Sequence, residues 1–390
     1  MELKFELNAN KLTVYLPERI DTVNSKDVED AILDVIDANP DFEELELNAA
    51  SLLYISSVGL RVVLRLKKAH NALSVVEAAN DVYEVFEMTG FTEMITVKKR
   101  MREISIEGCP MIGEGYYGRV YRISPDTIVK HYYRGTPIPE IDRERQVAKI
   151  AFVSGVPTAI AYDVVRIKEG GYGAVYELIE AKSLKNAIVD DLANFDKYVD
   201  AYADVIKRIA MPANDAPLPT CADLAKQWLE RDKPYLKPEV YAKTEKLVNG
   251  IADEGVLVHG DCHFKNIFVL PDGEPVLIDM DSVMKGSRIF DYASIYIAYI
   301  AYELEDPGNL LKFMGVPAEI CQKLYYGVIR KIYEDRSEAE YQLILKKIAF
   351  LANVHFLSKS ILEEEDKFGR IPKTVQRIEE AVDGLTDLSV

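Results

Sequence analysis

Two short stretches constrain this 390-residue chain more than anything else in it: Val258-His259-Gly260-Asp261-Cys262-His263-Phe264-Lys265-Asn266-Ile267, and then Leu277-Ile278-Asp279-Met280-Asp281. Apolar residues flank each polar run, so residues 256–293 read as loops joined by short strands. The polar runs concentrate oxygen donors. A loop carboxylate such as Asp261 can orient and deprotonate a hydroxyl. The Asn266 amide oxygen and the Asp279 carboxylate are hard ligands of the kind magnesium prefers. This set suits phosphoryl transfer, which asks for an acceptor held in line and cations that offset charge on the transferred group.

Upstream lies Gly113-Glu114-Gly115-Tyr116-Tyr117-Gly118-Arg119-Val120-Tyr121. A dinucleotide-binding turn needs a helix directly after such glycines, but here β-branched and aromatic residues follow. Gly113, Gly115 and Gly118 therefore sit at a hairpin, where backbone N–H groups can approach phosphate oxygens. An ordinary tight hairpin uses glycines in the same way. Lys130 ends a strand predicted over Thr127–Tyr132 and can reach phosphates as a point charge. A helix is predicted over 140–154. Glu144 on it can pair with Lys130, and Glu140 competes for that part.

Taken together, HGDxxxxN followed by IDxD resembles the motif of the aminoglycoside phosphotransferase and choline kinase family, relatives of the protein kinases. The resemblance covers roughly residues 104–390, with all elements in order. It implies a bilobal kinase-like fold, with an N-lobe at 104–180 and a C-lobe at 181–390, and use of ATP and Mg2+. It further implies Asp261 as catalytic base and Asn266 and Asp279 as magnesium ligands. Lys130 would hold the α/β phosphates with Glu144 as partner. The segment 177–180 would be a hinge that meets adenine through the backbone of Glu177 and Ile179. His259 is expected to brace the loop, Asp281 to help at the metal or substrate, and Asp291 to tie loops together. Cys262 is expected to be buried packing. The stretch before Asp291 lacks the proline often found there.

Residues 1–100 follow a different plan. Strand signals alternate with helical spacing over Ser25–Ala38, Ser57–Ala69 and 81–89, a small mixed α/β domain. The segment Tyr54-Ile55-Ser56-Ser57-Val58-Gly59-Leu60-Arg61-Val62 resembles the conserved loop of STAS domains, the anti-sigma-factor-antagonist fold. Ser56 or Ser57 can cap the helix that follows. The resemblance implies phosphorylation at Ser57, where a helix N-terminus favours an anion, and a protein partner for this domain. Ser56 departs from the Asp that such loops often carry. The basic run 98–102 (KKRMR) reads as a solvated linker. The whole is thus α+β and multidomain.

Residues 1–100 carry 11 basic against 18 acidic side chains and the remainder 36 against 46, a net charge of −17. That argues against a nucleic-acid partner, whose phosphates need clustered Lys and Arg, and favours cationic small molecules. No segment reads as a membrane span. The stretch 289–304 is too short and carries Asp291 and Glu303. Four scattered cysteines predict a reduced, cytoplasmic protein. The expected activity is transfer of the γ-phosphate of ATP to a hydroxyl of an aminoglycoside, a choline-like amino alcohol or a related metabolite. Glu303, Glu305 and residues 363–366 are candidate cation binders. Two alternatives are a regulatory serine kinase acting on a STAS domain, and a non-catalytic scaffold.

Overall fold

The computed structural model describes every residue except 116, 214, 215, 272, 364, 365 and 367. The chain forms two compact units, Met1–Ile104 and Ser105–Val390.

In the first unit, strands β1 (Phe5–Asn8), β2 (Lys11–Tyr15), β4 (Glu44–Asn48), β6 (Leu73–Ala78) and β7 (Thr96–Lys99) form one sheet in the order β1-β2-β4-β6-β7. The β1–β2 hairpin is antiparallel and the other pairings are parallel. A separate pair joins β3 (Arg19–Ile20) to β5 (Tyr54–Ile55). Alternate residues Leu12 and Val14, Leu45 and Leu47, Leu73 and Val75 are buried. They meet the apolar stripes of helices Ser25–Ala38, Ser57–Ala69 and Asn80–Met88.

Ser56, not Ser57, caps the second helix, its Oγ accepting from the Gly59 N–H at 3.4 Å. A Cβ on Gly59 would lie 2.8 Å from Ile55 and 2.9 Å from Ile20, so glycine lets the helix seat on the β3–β5 pair. The basic run is not a linker. Lys98 and Lys99 belong to β7, and Arg102 opens a further strand, β8 (Arg102–Ile104). Backbone groups along β6 recruit the run as a strand, while its charged side chains stay exposed.

In the second unit, β9 (Met111–Glu114), β10 (Gly118–Arg122), β11 (Thr127–Tyr132), β12 (Ala161–Ile167) and β13 (Tyr172–Glu177) pair antiparallel in the order β9-β10-β11-β13-β12. Helix Ile138–Val153 packs on them, burying Ile141, Glu144, Val147, Ala148 and Ala151. Further along, β14 (Lys182–Ser183), β16 (Ile267–Val269) and β17 (Pro275–Leu277) form a small sheet, and β15 (Val256–Val258) pairs with β18 (Met284–Gly286). This short-strand frame presents 259–266 and 278–283 as two neighbouring loops.

Around the frame the chain is helical. Helix Glu338–Leu362 runs through the core, its start fixed by a capping box between Ser337 and Glu340. The apolar stretch from residue 289 is buried as expected, but its helix (Ile289–Tyr296) widens into π-type hydrogen bonding over Ile297–Ala301. Among the described residues, no helix is long and apolar enough to cross a membrane.

Asp232, at the end of helix Cys221–Asp232, is fully buried, and among the described residues neither carboxylate oxygen has a hydrogen-bond partner. Burial pushes its pKa up to about 8, only partly offset by Arg231. The folded state therefore keeps a proton that the unfolded chain releases near pH 4. The Asp232 contribution to stability is greatest below that pH and is lost as pH rises towards about 8. Asp232→Asn removes this loss, so thermal melts should show its advantage over the parent protein growing from pH 5 to pH 8.5.

Candidate functional site

The loop that follows β15 begins with a residue only glycine fits. Gly260 has φ 80°, and a Cβ there would lie 2.8 Å from the Ser282 carbonyl oxygen. The loop is tied down at its base by Asp291, on helix Ile289–Tyr296. Its carboxylate accepts from the backbone N–H of His259 at 3.1 Å and of Gly260 at 2.8 Å. Burial raises the Asp291 carboxyl, while His259 and those N–H groups oppose the rise.

His259 is fully buried and bridges the two loops. Its Nε2 lies 3.2 Å from the Ile278 carbonyl and its Nδ1 3.3 Å from the Asp261 N–H. That pattern requires the tautomer with the proton on Nε2. Asp261 stands at the loop's crest, its side chain 46% exposed and available to a ligand. The Asn266 side-chain N–H donates to the Asp261 carbonyl at 3.0 Å, so the remaining polar atom of that amide is its oxygen. The loops meet again where the Ile278 N–H donates to the Asn266 carbonyl at 2.9 Å.

Asp279 sits in the left-handed region, φ 65° and ψ 62°, one of few residues without glycine's freedom to do so. Its carboxylate lies 3.3 Å from Lys130 Nζ, which also donates to Glu144 at 2.7 Å. Glu140 is exposed, so Glu144 takes the pairing. Burial alone would lower the Lys130 pKa, but the carboxylates of Asp279 and Glu144 outweigh it and hold the ammonium above its ordinary value. Asp281 is half-buried beside Asp279, and desolvation first, then the Asp279 charge, raises its carboxyl. Ser282 donates to it at 3.0 Å.

Among the described residues, no three His, Cys, Asp or Glu side chains converge as a self-contained metal centre. The donors here are one amide oxygen and one exposed carboxylate beside a second, half-buried one. That is too few for an all-protein cage, but it fits a magnesium ion that completes its shell with water and phosphate.

The glycine-rich segment forms the β9–β10 hairpin, with Gly113 opposite Val120 and Glu114 opposite Arg119. Tyr116 lies outside the described residues. Gly118 is demanded by the protein itself, because a Cβ there would lie 2.2 Å from the His131 carbonyl. Gly113 and Gly115 face no such obstacle, and the space beside Gly115 is open. In the segment after β13, the N–H groups of Glu177 and Leu178 donate to the carbonyls of Ile160 and Asp126. Among the described residues, Ile179 N–H has no hydrogen bond. The Glu177 carboxylate turns back to accept from Ile160 N–H at 3.1 Å.

The acidic residues read as cation binders are otherwise engaged. Glu303 accepts from the N–H groups of Gly308 and Leu310. Glu305 is buried between Lys373 and Arg377. Glu363 pairs with Arg370, and Asp366 accepts from the N–H groups of Arg370 and Ile371. Glu364 and Glu365 lie outside the described residues. The missing information is tertiary, since nothing near a glutamate in sequence announces an arginine 72 positions away.

Thr158 is a connection that sequence reading missed. Buried, it donates to the Leu277 carbonyl at 2.8 Å, fixing the strand that delivers Asp279. Cys262 is buried, and burial raises its thiol far from reactivity.

The model of the phosphotransferase enzyme family matches residues 109–312, and that of the STAS domain matches residues 2–104. No curated protein matches the chain. Among solved structures, a thermostable mutant of aminoglycoside phosphotransferase APH(4)-Ia in apo form is 13% identical, with 72% of this chain and 97% of that one covered at a TM-score of 0.46. The GDP complex of wild-type aminoglycoside 2'-phosphotransferase-IIIa is 14% identical, with 77% and 98% covered at 0.43.

Asp291→Ala orphans two buried N–H groups at the base of the Asp261 loop. At about 1–3 kcal/mol for each unsatisfied group, partly offset by removal of a buried charge, urea unfolding should show a loss of about 2–3 kcal/mol.

Proposed function

We propose that this chain, which belongs to the phosphotransferase enzyme family and carries a STAS domain over residues 2–104, transfers the γ-phosphate of ATP to a hydroxyl of a small molecule. The observation that carries this is the Lys130 ammonium held between Glu144 and Asp279, beside a loop that presents Asp261. Lys130 meets the α/β phosphates. Gly113, Gly115 and Gly118 let the hairpin backbone lie along the phosphate chain. The unpaired Ile179 N–H and the Glu177 carbonyl receive the adenine edge. Asn266 and Asp279 would hold magnesium, which offsets negative charge on the phosphate oxygens. Asp261 orients the acceptor hydroxyl and takes its proton as the new bond to phosphorus forms and the bond to ADP breaks.

The acceptor class is an aminoglycoside, a choline-like amino alcohol or a related metabolite. With Glu303, Glu305, Glu363 and Asp366 already paired to other groups of the chain, attraction for a cationic acceptor rests on the overall charge of −17. The four cysteines form no disulfide, which fits a reducing cytoplasm.

A second reading is favoured by one observation: Ser57 is exposed at the first position of its helix, while Ser56 makes the cap. A phosphate on Ser57 would leave that cap intact and meet the helix N-terminus. A serine kinase acting on a STAS domain, its own or a partner's, is the corresponding activity.

The test supplies γ-labelled ATP, magnesium and a pooled panel of aminoglycosides, amino alcohols and sugars. Label in a small molecule supports the first reading, and label on Ser57 the second. Label in neither, with Asp261→Asn indistinguishable from the parent protein, leaves a scaffold. On either catalytic reading, Asp261→Asn should cut transfer about a thousandfold, while Glu140→Gln leaves it unchanged.

A further inference from the structure

The catalytic loop carries two backbone groups that no regular structure serves: the Cys262 carbonyl and the Phe264 N–H. They flank His263, whose ring lies 3.7 Å from the Asp261 carboxylate. Buried away from water, such groups need partners. Two tyrosines supply them, both fully buried and from different elements. Tyr202, on helix Phe195–Ile209, donates to the Cys262 carbonyl. Tyr299, in the π-type turn Ile297–Ala301, accepts from the Phe264 N–H at 2.7 Å. The two hydroxyl oxygens are 3.3 Å apart.

Proton counting gives this arrangement a direction. Each phenol has one hydrogen. That of Tyr202 goes to Cys262, so the Tyr202 oxygen can only accept from Tyr299. The Tyr299 oxygen in turn accepts from Phe264. The chain runs Phe264 N–H to Tyr299 O–H to Tyr202 O–H to the Cys262 carbonyl, beginning and ending in the loop. Burial pushes both phenols up, so neither gives up its proton. The Phe264 ring also packs against Tyr299, centroids 5.4 Å apart.

We propose that Tyr202 and Tyr299 form a single two-hydroxyl clamp that sets the path of the loop between Asp261 and Asn266, and so positions the base and the metal-binding amide for phosphoryl transfer. Neither tyrosine touches substrate, so both are positioning residues. The clamp rests on the phosphotransferase reading for its consequence in catalysis, but not for its existence. Because the two hydroxyls share a hydrogen bond, loss of either interrupts the chain and weakens the bond that the other makes to the loop. Their effects should overlap and not multiply.

The experiment uses the full chain and Tyr202→Phe, Tyr299→Phe and the double variant, with two readouts. Hydrogen exchange over 259–266 reports the clamp itself. Phe264 amide protection should fall at least tenfold in each variant, while helix Glu338–Leu362 stays protected. Turnover of magnesium-ATP, with water as the probe acceptor, reports its consequence. Each single variant should lower kcat about tenfold with KM for ATP unchanged, and the double variant should be no slower than about tenfold either. Unchanged exchange in both single variants overturns the clamp. Altered exchange with kcat within twofold of the parent, or a double variant slowed about a hundredfold, overturns its role as one positioning unit. If the parent protein shows no turnover with water and no transfer to the labelled-ATP acceptor panel, the phosphotransferase reading fails, the positioning role falls with it, and exchange alone judges whether the clamp exists.

Discussion

One half-buried cation organises the site. Lys130 comes from strand β11, Glu144 from helix Ile138–Val153 and Asp279 from the loop after β17, three elements that no local sequence rule would bring together. An ammonium partly withdrawn from water is stabilised by carboxylates around it, and a buried carboxylate such as Glu144 equally needs a cation. Lys130 and Glu144 are each the condition for the other's burial, and Asp279 adds its charge from the exposed side. The surplus of negative charge left by Glu144, Asp279 and Asp281 against a single lysine is what a divalent cation would offset.

A second constraint is backbone accounting in the loops. A segment that projects Asp261 outward cannot satisfy its own N–H and carbonyl groups by pairing. The fold supplies partners one by one: the Asp291 carboxylate for His259 and Gly260, the His259 ring for Asp261 and Ile278, the Asn266 amide for Asp261, the tyrosine hydroxyls for Cys262 and Phe264. The loop's polar groups are therefore satisfied from behind, which leaves the Asp261 carboxylate exposed at its crest. Asp279 pays in backbone strain for its direction, and asparagine could take the same left-handed conformation at little extra cost, so charge and geometry can be separated there.

The sequence made legible what depends on spacing. Helices Ser25–Ala38 and Ser57–Ala69 match their apolar periodicity to the residue, and strand Thr127–Tyr132 does too. The order of glycine hairpin, lysine, helix glutamate and two polar loops pointed to the site before any geometry. Illegible parts were those decided at long range. Periodicity cannot say which of Ser56 and Ser57 caps a helix, or that Glu144 and not Glu140 faces inward. A run of lysines and arginines looks solvated until an open strand edge is placed beside it. Glu305 and Glu363 look free until Arg377 and Arg370 arrive from the last helix, and Glu303 until the N–H groups of Gly308 and Leu310 turn onto it. Tyr202 and Tyr299 look like core aromatics, and they are, save for one oxygen each.

The account stands or falls on whether the two loops make a joint nucleotide and metal site. The direct measurement is binding of manganese, as a spectroscopic stand-in for magnesium, to the full chain with and without a non-hydrolysable ATP analogue, followed by magnetic resonance. The expected result is tight manganese binding only when the nucleotide is present, lost in Asp279→Asn while nucleotide alone still binds. Manganese binding that ignores the nucleotide, or that survives Asp279→Asn unchanged, would contradict it.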